Sequence, residues 1–308
     1  MFVGLDKEQP PVASKPLPPV FVRFLRMIRF SHTLFALPFA LAATAVIAAR
    51  YSSAVNVTPL KIALIVVAFT GMRSFAMAVN RLADSEIDAR NTRTASREIP
   101  SGLLSVRAVQ FFAVLSILAT IVAAYFLSPV AGYLALPAAI IVAGYSAAKR
   151  FTWLCHFWLG AAIGLAPPAV YIALLQQITP EALLMQAVLM FYIAGFDILY
   201  ALQDIEFDRR EKLYSIPARF GVAGAMWIAR ASHAVAAIAA AALIWYLKFH
   251  PLVWIFYAVL VGLFVAEHWL VGSVKNPRWE KIPVAFFNVN SAFSLVFLAT
   301  IAAGAFIY

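Results

Sequence analysis

The residues of this chain best suited to chemistry gather in one stretch, Asn80-Arg81-Leu82-Ala83-Asp84-Ser85-Glu86-Ile87-Asp88. It closes a long apolar run and is followed at once by Arg90, Arg93 and Arg97. Asn80, Asp84 and Asp88 are spaced i, i+4, i+8. On an α-helix each four-residue step turns about 40° past a full turn, so the three oxygen-bearing side chains share one face. Oxygen donors with no Cys or His beside them suit a hard cation such as Mg²⁺, which takes one or two carboxylates plus substrate phosphates. Asp204-Ile205-Glu206-Phe207-Asp208 repeats the D-x-E-x-D spelling of Asp84 to Asp88, with Tyr200 in the place of Asn80 and Arg209, Arg210 and Lys212 downstream. Glu86 and Glu206 point about 200° from the neighbouring Asp and so away from the shared face.

Two acidic helix ends with basic residues behind them predict a metal-bridged diphosphate held between them. A diphosphate leaves readily only once its charge is neutralised, and cations held by Asn80, Asp84, Asp88, Asp204 and Asp208 would do so by bridging its oxygens. Carboxylates at a helix C-terminus oppose the dipole, an unfavourable placement that a bound cation offsets. Arg81, Arg93 and Arg97, with the Lys149-Arg150 pair, are the candidate diphosphate contacts. Their competing role is to set topology.

Arg73 lies seven residues before Asn80 and Asp197 seven before Asp204, each on nearly the same helix face as its motif. Ionisable residues inside a membrane span usually face a cavity and mark function. Arg73 is read as the partner of an anionic group on an acceptor substrate and Asp197 as a proton acceptor; the alternative is a structural Arg73–Asp197 pair. His32, at the mouth of the first span, is a candidate substrate contact, whereas His156, His233, His250 and His268 read as interfacial or packing residues. Aromatic side chains, 14% of the chain, would also shield a carbocation by cation–π contact.

Stepping outward, the elements that position these groups must be membrane helices. Charged residues are 12% of the 308 and hydrophobic ones 64%, against about 25% charged in soluble domains. Apolar runs predict nine spans, at about 33–49, 59–83, 106–126, 130–147, 153–174, 182–203, 223–246, 251–272 and 282–306. Pro137 and Pro167-Pro168 are expected to kink the fourth and fifth. Residues 1–19 contain five prolines and no apolar core, and read as a disordered cytoplasmic tail rather than a cleavable signal. Val20 to Phe30, with Arg23, Arg26 and Arg29 among apolar residues, reads as an interfacial amphipathic helix. Residues 20–308 form the second, transmembrane part.

With the N-terminus inside, 20 of the 24 Lys and Arg fall on the cytoplasmic side and three on the other, with Arg73 within a span. This places both acidic motifs at the cytoplasmic face of the plasma (inner) membrane. The same effect accounts for the net charge of +10 without nucleic acid. The lone Cys155 excludes an internal disulfide and a multi-cysteine metal site. No obligatory protein partner is inferred. A transporter using Arg73 and Asp197 is disfavoured, since transporter sites lie near the midplane. A phosphatidyl-alcohol transferase would carry a D-G-x-x-A-R pattern, which this chain lacks.

Together, N-R-x-x-D-x-x-x-D, R-T-x-x-R-x-x-P-S-G (Arg93 to Gly102), Y-S-x-x-K-R (Tyr145 to Arg150) and D-x-x-Y-A-x-x-D-x-x-x-D (Asp197 to Asp208) resemble the UbiA superfamily of intramembrane prenyltransferases. The resemblance runs from about Arg23 to the C-terminus. It implies an all-α fold of nine transmembrane helices around a chamber open to lipid, in which Mg²⁺ ionises a polyprenyl diphosphate and the allylic cation alkylates an acceptor, often an aromatic ring ortho to a phenol. It matches Asn80, Asp84 and Asp88 to the first metal motif, Tyr200, Asp204 and Asp208 to the second, Lys149 to a diphosphate contact, and Asp197 to the acceptor or departing proton. Many members carry Asp after the motif Asn, where this chain has Arg81. Ser31 to Phe39, Met72 to Ala78 and Ser215 to Gly221 resemble the 4-hydroxybenzoate polyprenyltransferase-like branch, which includes enzymes of the futalosine-type menaquinone route. Its acceptors, 4-hydroxybenzoate and 1,4-dihydroxy-6-naphthoate, are hydroxylated aromatic carboxylates, in keeping with Arg73. Haem, chlorophyllide or a glycerol phosphate is the alternative acceptor in the same fold.

Overall fold

Polar caps and first-turn prolines fix where the apolar runs become helices. In the computed structural model, which describes residues 17–29 and 36–307, Thr58 accepts a hydrogen bond from the Lys61 amide at 3.3 Å. Ser105, Ser128 and Ser215 do the same for Ala108, Ala131 and Ala218 at 3.2 Å. Pro59, Pro129 and Pro217 sit in the first turns that follow such caps, where their missing N–H costs nothing.

The helices are α1 (Val20–Met27), α2 (Leu37–Arg50), α3 (Pro59–Ala83), α4 (Ser85–Arg90), α5 (Val106–Leu127), α6 (Pro129–Ala148), α7 (Cys155–Gly164), α8 (Ala166–Leu175), α9 (Pro180–Ala201), α10 (Ile205–Arg210), α11 (Ile216–Tyr246), α12 (Val253–Val271), α13 (Ile282–Val284) and α14 (Asn290–Phe306). A two-residue antiparallel ladder, Gly272–Ser273 with Asn276–Pro277, closes the turn after α12.

Among the described residues, eight of the expected spans correspond to helical segments long and apolar enough to cross a membrane. The first differs. α2 has 14 residues, about 21 Å at 1.5 Å per residue against a hydrocarbon core of ~30 Å. The expected start of that span and His32 lie outside the described residues, as do residues 1–16 of the expected tail. The fifth span breaks at Leu165, and Pro167 and Pro168 fall in the first turn of α8. α6, by contrast, continues through Pro137. α11 starts at Ile216, earlier than predicted, because Gly221 at φ 68° lets the chain turn within it.

α5 shows the environment. Phe111, Val114, Leu118, Val122 and Tyr125 form one exposed apolar stripe, a face that water would penalise and lipid does not. The interior is aromatic. Phe39 of α2 stacks on Phe297 of α14 at 4.3 Å, and Tyr192 of α9 on Phe293 at 4.3 Å, with Phe264 of α12 4.6 Å from Phe293. α3 packs chiefly on α5, and α9 on α7 and α11. Two glycines set the closeness of these crossings. A Cβ on Gly71 would lie 2.5 Å from Thr120 Oγ1, and one on Gly160 would lie 2.2 Å from the Met190 carbonyl oxygen.

Candidate active site

α3 ends at Ala83, and Asp84 takes φ −95°, ψ 2° before α4 begins. The spacing alone predicts one uninterrupted helix here; the structure bends it at Asp84, a residue type of low helix propensity. The hydrogen-bond ladder nevertheless runs through the bend, with Asp84 N–H to Asn80 O at 2.9 Å and Asp88 N–H to Asp84 O at 2.7 Å. Asn80, Asp84 and Asp88 consequently line one cavity. α9 is treated in the same way: a 3₁₀ turn, Leu202–Asp204, puts Asp204 at φ −107°, ψ 7° before α10. Asp204 and Asp208 reach the same cavity from the opposite side. Glu86 and Glu206 are exposed, as their position on the helix requires.

The cavity has a volume of about 240 Å³, and basic side chains meet the carboxylates across it. Lys149 Nζ lies 2.9 Å from Asp84 Oδ2 and Arg150 3.0 Å from Asp84 Oδ1. Asp84 itself is only 3% exposed, so these partners offset the cost of burying its charge. Lys149 caps the C-terminus of α6, where a cation complements the dipole. Arg97 grips Asp88, one nitrogen donating to both carboxylate oxygens at 2.7 Å. Arg93 makes a two-point pair with Asp204, Nε to Oδ1 at 3.0 Å and Nη2 to Oδ2 at 2.5 Å. Burial works against the Arg93 charge, but the hydrogen bond and charge of Asp204 outweigh it and raise the Arg93 pKa.

Tyr200 sits beside this pair, its hydroxyl accepting from Arg93 at 3.3 Å and its ring 5.5 Å from the guanidinium. Arg150 also donates to the Ala83 carbonyl at 2.6 Å, fastening the end of α3. Arg81 is buried and turns into an adjoining basic pocket that includes Arg26, Arg29, Arg93 and Arg97, rather than into the main cavity. Arg73 donates to the Ile28 carbonyl at 3.1 Å, at the end of α1. It is not paired with Asp197.

Asp197 instead meets His156, whose Nδ1 lies 2.7 Å from Asp197 Oδ2, and both line the cavity. The packing role expected of His156 misses this contact, because the partner is 41 residues away and no local spacing signals it. Asn91 was also not legible. Its side-chain amide donates to Asp204 Oδ1 at 3.4 Å while its oxygen accepts from Arg93 N–H at 3.0 Å, tying the loop after the first motif to the second motif. His233 and His268 pack together inside, Nδ1 to Nε2 at 3.1 Å, and His250 accepts from the Leu252 amide.

The donor set facing the cavity from the two motifs is all oxygen, which fits a hard cation. Among the described residues no three carboxyl, imidazole or thiol groups already converge as an ion site, and Asp84, Asp88 and Asp204 are engaged by basic side chains. An ion therefore fits as one that arrives with phosphate oxygens, which take over those basic partners.

A model of the UbiA prenyltransferase family matches residues 36–292. The chain belongs to that family. A 4-hydroxybenzoate octaprenyltransferase of Aliivibrio fischeri is 30% identical over 232 residues, covering 74% of this chain and 79% of its own. One from Coxiella burnetii is 30% identical over 241 residues, covering 77% and 82%. The apo structure of a UbiA homologue from Aeropyrum pernix superposes with a TM-score of 0.78 at 28% identity, covering 89% of this chain and 98% of that one. A UbiA homologue from Archaeoglobus fulgidus, bound to GPP and Mg²⁺, shares the fold with a TM-score of 0.66 at 20% identity, covering 91% and 99%. This UbiA protein is a multi-pass membrane prenyltransferase, and the transporter and alcohol-transferase readings fall with that assignment.

Proposed function

We propose that this UbiA prenyltransferase moves a polyprenyl group from its diphosphate to a hydroxylated aromatic carboxylate in quinone biosynthesis, with Mg²⁺ as cofactor. The observation that carries the reading is the single cavity shared by two acidic motifs 120 residues apart, with Lys149, Arg93 and Arg97 between them. The names of the A. fischeri and C. burnetii relatives support 4-hydroxybenzoate as one acceptor, and 1,4-dihydroxy-6-naphthoate is the other candidate. The A. fulgidus homologue's ligands support a prenyl diphosphate and a divalent ion.

In this reading Asn80, Asp84, Asp88, Asp204 and Asp208 hold the Mg²⁺ ions, which when bound neutralise the diphosphate so that it can leave. Lys149, Arg150, Arg93 and Arg97 release their carboxylates and grip the diphosphate oxygens, with Arg81 adding positive charge from the adjoining pocket. Tyr200 holds Arg93 in line. The departing diphosphate leaves an allylic cation, which the electron-rich ring attacks. Arg73, held through one nitrogen by Ile28, offers its other nitrogens to the acceptor's carboxylate, and His32 is a second candidate acceptor contact. Asp197 takes the ring proton. The Lys and Arg distribution supports a cytoplasmic N-terminus and cytoplasmic acidic motifs.

The test is prenyl transfer by purified protein in nanodiscs with a long-chain polyprenyl diphosphate and the two acceptors in competition. Product on one ring, lost on chelation of Mg²⁺ and in Asp84→Ala, is expected. Transfer that persists after chelation would remove the metal from the reading, and diphosphate release without alkylation of either ring would remove the acceptor class.

A further inference from the structure

Four of the five carboxylates that line the cavity are held by a basic side chain, and the kind of partner differs. Asp84, Asp88 and Asp204 are each held by lysine or arginine, basic groups that suit a substrate whose phosphates can take them over. Asp197 is held by an imidazole. A guanidinium can grip both carboxylate oxygens at once, as Arg93 grips Asp204, whereas a single imidazole nitrogen holds one oxygen of Asp197.

The fold makes this contact by close approach of two helices. On α7, Gly160 presses against the Met190 carbonyl and lies near the Ala194 amide of α9, contacts that a Cβ would obstruct. One turn back along α7 is His156, and one turn on along α9 is Asp197, so the crossing sets them face to face. The His156 ring is buried, its side chain 5% exposed against 25% for Asp197. Nδ1 faces Asp197 Oδ2 at 2.7 Å, and beside an ionised carboxylate that nitrogen must carry the hydrogen. Nε2 is buried with no hydrogen-bond partner among the described residues.

We propose that His156 is a positioning residue for proton removal. It ties Oδ2 of Asp197, a residue that lines the cavity, and leaves Oδ1 as the proton-accepting atom. This rests on the reading of Asp197 as the base. After alkylation the C–H bond at the newly alkylated sp³ ring carbon breaks and its electron pair restores aromaticity. The proton goes to Asp197 Oδ1, which returns it to water through the cavity when product leaves. His156 keeps its own hydrogen throughout.

The experiment uses full-length protein in nanodiscs and an acceptor deuterated at the ring positions ortho to the hydroxyl, comparing wild type, His156→Leu, His156→Asn and Asp197→Asn. His156→Leu should lower product formation roughly 10- to 100-fold and make proton loss slow enough for a primary isotope effect to appear. His156→Asn, whose amide nitrogen stands near the position of Nδ1, should restore most of the rate and abolish that effect. A residue that only fills space would change neither the isotope effect nor its rescue by Asn. Wild-type rate without an isotope effect in His156→Leu, or equal impairment of the Asn and Leu variants, overturns the proposal. Should the Leu variant aggregate, the Asn variant decides alone: near-wild-type turnover supports the proposal and loss of turnover overturns it. Asp197→Asn separates the two levels. If it transfers prenyl at the wild-type rate, the base assignment itself has failed, whatever His156 does.

Discussion

The two acidic motifs share a spelling and a backbone device, yet their surroundings differ. Asp84 and Asp88 are buried and opposed by three cations, Lys149, Arg150 and Arg97. Asp204 has Arg93 as its one cation, and Asp208, also buried, has no arginine or lysine in salt-bridge distance among the described residues; Ser215 is its hydrogen-bonding neighbour, with Asp204, Lys149 and His156 farther off. Asn80 donates to Asp84 at 3.1 Å, whereas Tyr200, in the corresponding place, serves Arg93 instead. The first half is thus electrostatically settled before substrate arrives, and the second half carries uncompensated negative charge. Repeated sequence conserves where oxygen atoms are placed; what each half asks of a ligand depends on partners supplied from elsewhere in the chain.

The sharpest test of that asymmetry sets Asp208→Asn against Asp84→Asn. Both should lower turnover by on the order of 10³-fold, the scale seen when one group that stabilises a developing charge is removed. Their effects on stability should have opposite sign. Asp84→Asn strips Lys149 and Arg150 of their counter-charge and should cost about 1–3 kcal/mol, allowing for the partial exposure of both bases. Asp208→Asn removes a buried carboxylate that lacks a cation and should leave metal-free protein as stable or more so. Thermal unfolding in detergent without Mg²⁺ reads this directly, and equal destabilisation by the two variants would erase the distinction.

How much of this was legible in the sequence follows from the range of each interaction. Helix existence and the exposure of Glu86 and Glu206 come from local periodicity, which sequence displays. The joint use of Asp84 and Asp204 was visible only because the motif is spelled twice. The bend at Asp84 was not, since it changes φ and ψ at one residue while leaving the four-residue ladder intact. Pairings such as Lys149 with Asp84 or His156 with Asp197 depend on how α6 and α7 are carried back against α3 and α9, and no spacing in the chain encodes that. α2 was expected as a full span because its apolar run begins before the described segment, although the helix itself holds only 14 residues.

The helices that carry the motifs can also be disturbed one at a time. Gly160→Leu puts a side chain into the Met190 backbone carbonyl, which cannot rotate away, and should displace α9 and the second motif. Gly71→Leu meets Thr120 and the Ser116 carbonyl at 2.5 and 2.7 Å and should disturb α3 and the first. Overpacking of this kind costs about 1–3 kcal/mol, with the tighter Gly160 contact at the upper end. Midpoint temperatures of the two variants, measured side by side, check the order. A larger drop for Gly71→Leu would place the tighter constraint in the first half.

The smallest effect is expected where the two halves touch at the surface. Arg90, at the end of α4, pairs with Glu211, just beyond α10, at 3.1 Å, and its side chain is 57% exposed. Water and salt screen such a pair, so Arg90→Ala should cost less than about 1 kcal/mol. The motifs are already joined through Asn91 and Arg93 to Asp204, both closer to the cavity and better shielded. Turnover in Arg90→Ala should therefore stay within about twofold of wild type, since an exposed pair contributes so little to holding the two halves together. A large loss of prenyl transfer with unchanged thermal stability would mean that the motifs are held in register from the surface, and the buried Asn91–Arg93 connection would then be too weak to do it alone.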